Sequence, residues 1–250
     1  MELRNRVAVV TGGTAGIGKA IARRFVEEGA KVAIIGRSDH EGRQIEADLK
    51  KLGEGDCAYF HADVGSSDQV RATISAIIEK WAAIHILVNN AAVMMTGPLV
   101  DMAEDDWEQT MAVNMRGPFL LAKYALPVMP EHSTIINISS VDAVATDTQS
   151  TAYSASKGWI EAFTRGLALE CYARQIRVNA LRLGAVDTGM LWNNPQVKSG
   201  AEAINEREVG TPAEIAEAVL FLACARSSFI SGTVLTVDGG RLPILGSHAS

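Results

Sequence analysis

Seven short apolar runs recur along the chain: VAVVT (7–11), KVAII (31–35), CAYFHADV (57–64), IHILVNN (84–90), STIINISS (133–140), IRVNALR (176–182) and TVLTVDGG (233–240). They are largely continuous and rich in β-branched residues, not alternating. Strands of that kind are buried on both faces, so they need covering layers on both sides of a sheet. The segments between them supply those layers. Ile17, Ala20, Ile21 and Phe25 recur at helical spacing, and Gly29 is placed to end that helix. DQVRATISAIIEKW (68–81) puts Val70, Ile74, Ile77, Ile78 and Trp81 on one helical face. A long helical stretch spans about 103–128, and another carries Ile160, Phe163, Leu167 and Ala168 to about Cys171. Thr211-Pro212-Ala213-Glu214 is a capping box with proline at the first helical position, ahead of AEIAEAVLFLA.

Strand and helix therefore alternate throughout. The pattern predicts an α/β chain: a single doubly wound, Rossmann-type domain over residues 1–250. Its seven-stranded sheet is mainly parallel, with helices on both faces. No linker, repeat or low-complexity segment divides it, and 250 residues at 48% hydrophobic suffice for one large core. The least regular stretch, 187–210, reads either as a substrate lid or as a short surface helix of no special role.

Composition excludes several function classes. The net charge of −6, with no Lys/Arg stripe, argues against nucleic acid and anionic membrane as partners. No apolar run reaches the ~18 residues of a membrane span, and MELRNRVAVV lacks the long apolar region of a secretory leader. A cytoplasmic location is the expectation. The three cysteines, Cys57, Cys171 and Cys224, fit no disulfide framework or metal spacing, and the five histidines are scattered, so no metal site is expected.

TGGTAGIG (11–18) follows the first strand and opens a helix. Small residues there let the backbone turn sharply and approach a pyrophosphate, while the helix start offers free N–H groups and a positive dipole end. Gly12, Thr14, Gly16, Ile17 and Gly18 are the candidate contacts. The second strand ends in Gly36-Arg37-Ser38, where an acid would select NAD through the ribose hydroxyls. A guanidinium there suits a 2′-phosphate, so Arg37 and Ser38 favour NADP(H). NAD(H) remains possible if Arg37 is simply solvated.

In TAYSASKG (151–158), Tyr153 and Lys157 stand one helical turn apart, on one face, with small residues between them. An ordinary phenol has a pKa of about 10, and a cation one turn away is expected to draw it down. Tyr153 then serves as acid or base. Asp142 faces either the pocket, to bind a substrate hydroxyl or amine, or solvent. Met94, Met190 and Trp192, with their apolar neighbours, suggest a largely apolar substrate pocket or else simple packing.

Taken together, these motifs resemble the short-chain dehydrogenase/reductase family across nearly the whole chain. TGGTAGIG matches its T-G-x-x-x-G-x-G turn, Asp63-Val64 its adenine-contacting pair, and Asn89-Asn90-Ala91-Ala92 its Asn-Asn-Ala-Gly motif. Asn114, Ser140, Tyr153 and Lys157 match its active-site set, Ser140 standing thirteen residues before Tyr153 as the family's serine does. The resemblance implies that Ser140, with Ser139 the competing choice, is the hydroxyl for the substrate oxygen. Two positions depart: Ala92 replaces a glycine, and Leu183-Gly184 replaces Pro-Gly, where proline would fix φ. The resemblance implies an NAD(P)-dependent oxidoreductase acting on an alcohol or ketone. It implies cofactor contacts from Asn90, Ala91, Tyr153, Lys157, Gly184, Val186 and Thr188, with Thr188 at the carboxamide. It also implies a water held by Asn114 next to Lys157, and a homo-oligomer, commonly a tetramer. The tail RLPILGSHAS (241–250) would either pack on a neighbour or fold back over its own pocket.

Overall fold

The computed structural model describes residues 1–200 and 202–242. The seven runs form one sheet in the order β3-β2-β1-β4-β5-β6-β7, every neighbouring pair parallel. The strands are β1 (Val7–Thr11), β2 (Lys31–Gly36), β3 (Asp56–His61), β4 (Ile86–Asn89), β5 (Thr134–Ser140), β6 (Arg177–Leu183) and β7 (Val234–Val237). The order of strands reverses between β1 and β4. In such sheets that reversal opens a crevice beyond the strands' carboxyl ends.

Strand alternation divides the core in two. Ala8 and Val10 of β1 face α1 (Gly16–Glu27) and α9 (Pro212–Ala223), where they meet Ile21, Phe25, Val219 and Leu220. Val7 and Val9 point the other way, toward Ile74 and Ile77 of α3 (Ser67–Trp81) and Leu121. A period of two thus sends one strand's side chains into opposite layers. Gly29 ends α1 with φ +81°, and Thr211 and Glu214 close both halves of the capping box on α9.

Several boundaries differ from the sequence expectation. β3 stops at His61, so Ala62-Asp63-Val64 is a loop over the crevice rather than strand. β4 begins at Ile86; the His85 side chain before it accepts from the Val7 N–H at 3.0 Å. An unanticipated α2 (Asp39–Lys50), capped by Ser38, buries only Ile45 and Leu49 among its apolar side chains. The stretch at 103–128 is α4 (Glu104–Met111), a π-helical turn (Ala112–Arg116), α5 (Gly117–Ala125) and a final 3₁₀ turn. Proline accounts for the interruption: Pro118 has no N–H for the carbonyl of Asn114 four residues back. The Gly117 N–H instead reaches Ala112, five residues back. Segment 187–210 holds α7 (Gly189–Trp192), α8 (Pro195–Ser199) and a 3₁₀ turn. Residues 243–250 of the apolar tail lie outside the described residues. No described helix is long and apolar enough to cross a membrane.

Candidate active site

The crevice at the carboxyl ends of the strands holds a cleft of about 500 Å³. The glycine-rich turn lines one end. Gly12 and Gly16 adopt φ +63° and +49°, a left-handed backbone that only glycine takes readily. The N-cap of α1, Ala15, makes no side-chain capping bond, so the first N–H groups of the helix lack a side-chain partner. Gly12, Thr14, Gly16 and Ile17 line the cleft. Gly18 does not, and its role is packing: a Cβ there would lie 2.2 Å from the Gly12 oxygen and 2.5 Å from Asn90 Nδ2. Thr11, overlooked in the sequence, ties the turn to the end of β4. Its hydroxyl accepts from the backbone N–H groups of both Asn90 and Ala91 at 3.0 Å.

Asp63, Val64, Asn90 and Ala91 continue the wall. The Asp63 carboxylate accepts from the Gly65 N–H at 2.9 Å, which fixes its loop. Arg37 lies exposed at the rim, with Gly36 beside it. Ser38 is not a wall residue; its hydroxyl accepts from the Glu41 N–H at 3.4 Å as the cap of α2. Gly184, Val186 and Thr188 close the opposite side. Gly184 is demanded by space, since a Cβ would come within 2.9 Å of Asp238. These features fit a dinucleotide: a left-handed glycine turn, an uncapped helix start, and a cleft that added methyl groups would narrow. Among the described residues, no cluster of three metal-ligating side chains is present.

The long helix α6 (Thr151–Glu170) brings Tyr153 and Lys157 to the same cleft, both buried. The Lys157 ammonium donates to the Ile138 carbonyl at 2.9 Å and lies 5.3 Å from the centre of the Tyr153 ring. Burial pushes its pKa down to about 8, against an opposing pull from Asp142. The phenol does not follow the expectation of a lowered pKa. Burial drives it up from its ordinary value, Asp142 adds to the rise, and the Ser140 hydroxyl pulls it down. The reason is geometric: Lys157 faces the ring and spends a hydrogen bond on Ile138.

The serine alternatives separate cleanly. Ser139 bonds to the Lys157 carbonyl at 3.3 Å and to Glu161 at 2.9 Å. Ser140 donates to Asp142 Oδ2 at 2.6 Å and accepts from the Asp142 N–H at 3.2 Å. Asp142 therefore faces the cleft, not solvent, and burial raises its pKa. Behind this wall Glu161 receives a two-pronged ion pair from Arg182, at 2.8 and 2.7 Å, a network that no motif had flagged. Asn114, buried in the π turn, accepts from the Val93 N–H, and its amide donates to the Val93 carbonyl, both at 2.9 Å. The same amide reaches Ser156 at 3.1 Å. Its side chain is thus a brace between α6 and the loop after β4.

At the substrate end, Met94, Met190 and Leu191 line the cleft as expected, but Trp192 does not. Its ring is exposed and donates to Asp187 at 2.7 Å, because the turn of α7 carries it away from the cleft. Asp142, Asp147, Asn194, Glu202 and Arg241 also border this end. It is more polar than the apolar residues of the sequence suggested.

This combination defines a dinucleotide-dependent oxidoreductase. The family model described as enoyl-(acyl carrier protein) reductase matches residues 12–241. A 3-oxoacyl-(acyl-carrier-protein) reductase of Chlamydia muridarum is 35% identical over 243 residues, covering 95% of this chain and 98% of that protein. A glucose and ribitol dehydrogenase of Daucus carota is 35% identical over 251 residues, covering 96% and 86%. The crystal structure of a short-chain dehydrogenase from Burkholderia cenocepacia J2315 in complex with NADP superposes with a TM-score of 0.88. It has 31% identity and covers 96% of this chain and 98% of that one. The chain belongs to the short-chain dehydrogenase/reductase family and is an NAD(P)-dependent oxidoreductase.

Proposed function

We propose that the protein interconverts a carbonyl and a secondary alcohol on a small substrate, with NADP(H) as its preferred partner. The observation that carries this reading is the placement of buried Tyr153 and Lys157 in one cleft with the glycine turn and Ser140. A bound nicotinamide supplies or takes the hydride; the chain supplies position and proton. Tyr153 gives its proton to the substrate oxygen in reduction and takes it back in oxidation. Its raised pKa keeps the phenol protonated at neutral pH, the form reduction needs. Ser140 steadies charge developing on the reacting oxygen. Lys157 is the buried cation that holds the nucleotide and offsets the phenolate left by proton transfer. Asn114 braces α6 and leaves its own carbonyl without an α-helical donor, a place for a relay water.

Arg37 at the rim, with no acid at the end of β2, supports NADP(H), as does the NADP held by the Burkholderia relative. The Chlamydia and carrot relatives carry names for carbonyl or alcohol chemistry, which supports the reaction class. Three buried free cysteines suit a reducing cytoplasm. Exposed Trp107 and Phe119 on α4 and α5 support a homo-oligomer, a tetramer by family resemblance. The test is a panel of ketones and secondary alcohols run with NADPH and NADH side by side. Turnover of members of the panel, faster with NADPH, is expected; no turnover of any member while nucleotide binds would refute the reading.

A further inference from the structure

Ser140 has one proton, and the structure spends it on Asp142. The Ser140 hydroxyl donates to Asp142 Oδ2 at 2.6 Å, a short charge-assisted bond. One Ser140 lone pair is taken by the Asp142 N–H at 3.2 Å. What remains to the hydroxyl is one acceptor position. In that arrangement Ser140 has no proton for the oxygen of a carbonyl, where negative charge grows as hydride arrives. Among the described residues no cation is within salt-bridge distance of Asp142, and Arg241 and Lys157 act on it only from farther off. Arg241, which borders the same end of the cleft, pairs with Glu202 at 3.2 Å and with Glu208 at 3.9 Å. Lys157 is bonded to Ile138. The carboxylate is half-buried and lines the cleft.

We propose that Asp142 selects substrates bearing a hydrogen-bond donor, a hydroxyl or an ammonium, on the carbon next to the reacting one. The inference rests on the carbonyl–alcohol reading of this cleft. A donor group seated on Oδ2 replaces the Ser140 proton there and frees that proton for the reacting oxygen. The two bonding partners, Ser140 Oγ and Asp142 Oδ2, are 2.6 Å apart. Oxygens bonded to each of them belong to neighbouring carbons of one small molecule. A vicinal diol, an α-hydroxyketone or a vicinal amino alcohol meets that demand; a plain ketone leaves the carboxylate and the serine engaged with each other. Because both directions share one transition state, the selection appears in oxidation as well as in reduction.

The experiment compares kcat/KM with NADP⁺ for butan-2-ol, butane-2,3-diol, 3-aminobutan-2-ol and 3-methoxybutan-2-ol, and for the same set on an eight-carbon chain. The methoxy compound keeps the second oxygen of the diol, with a methyl in place of its proton, and so donates nothing from that position. The expected result is a preference of at least about tenfold for the diol or the amino alcohol over both the plain alcohol and the ether. Whichever of the two donors is faster identifies the group. In Asp142→Ala, with folding checked by NADPH binding, the members of each set fall within about threefold of one another. Equal rates for diol, ether and plain alcohol in the unaltered enzyme overturn the inference alone and leave the reaction class standing. So does a preference that survives in Asp142→Ala. An enzyme that binds NADP⁺ and oxidises none of them overturns both.

Discussion

The ammonium of Lys157 stands 5.3 Å from the centre of the Tyr153 ring and is hydrogen-bonded to the Ile138 carbonyl at 2.9 Å. It is a buried cation placed against a ring, and burial brings its pKa down to about 8. Below that pH it is charged and ready for a nucleotide; above it the charge is lost. The kcat/KM for NADPH is therefore expected to be flat below pH 8 and to fall above it, by up to about tenfold per pH unit. Lys157→Arg, which does not titrate in this range, should remove the break. A flat profile to pH 10 would contradict the assignment.

The same titration acts on stability, with the opposite trend. The folded value lies below the ~10.4 of an unfolded lysine, so the unfolded chain holds more protons between the two. The penalty for burying the charge is full below pH 8 and is relieved as pH rises toward 10.4. Lys157→Met should lack that rise, so the difference between wild-type and variant denaturation midpoints should grow in favour of wild type between pH 8 and about 10.4.

Gly18→Ala tests the glycine turn apart from chemistry. The new methyl would sit 2.2 Å from the Gly12 oxygen. Overpacking of this kind costs about 1–3 kcal/mol. Thermal melts should show Tm lower by roughly 2–10 °C. Nucleotide affinity should fall with it, since Gly12 lines the cleft. An unchanged Tm would mean that the turn is looser than described.

Much of this was legible in advance. Continuous apolar runs with helices between them specified a parallel sheet, because a strand buried on both faces leaves that pattern. Tyr153, Lys157 and the glycine turn were legible because each is a local pattern, and Ser140 only through its family-typical separation from Tyr153. The rest depends on distance in the chain or on conformation without hydrophobic period. Helix α2 escaped because only Ile45 and Leu49 among its apolar side chains are buried. The π turn escaped because the chain is helical on both sides of the inserted residue and so reads as one helix, although Pro118 was its signal. Asp142, Glu202 and Arg241 meet only through the fold, and Trp192 looked like a pocket residue because an apolar side chain in a loop does not announce its direction. Glu161 stood one turn after Lys157, a carboxylate on a buried face. That position was the available clue to its pairing with Arg182.

That pair makes its own prediction. Glu161 is buried and Arg182 mostly so, with two bonds between them. Removing one partner strands the other, at a cost of about 3–5 kcal/mol. Glu161→Ala should lower thermal stability markedly, while Glu161→Ala with Arg182→Ala should cost less than the sum of the two single changes. Strict additivity would show that the pair is not coupled.

The central claim is that Tyr153 transfers the proton in a cleft that binds the nucleotide independently. Its most direct test is Tyr153→Phe, which removes one oxygen and keeps the ring. On any substrate that the unaltered enzyme turns over, the variant should lose at least about a hundredfold in kcat while its NADPH Kd stays within a few-fold. Turnover near the wild-type rate, with the nucleotide still bound, would contradict the account.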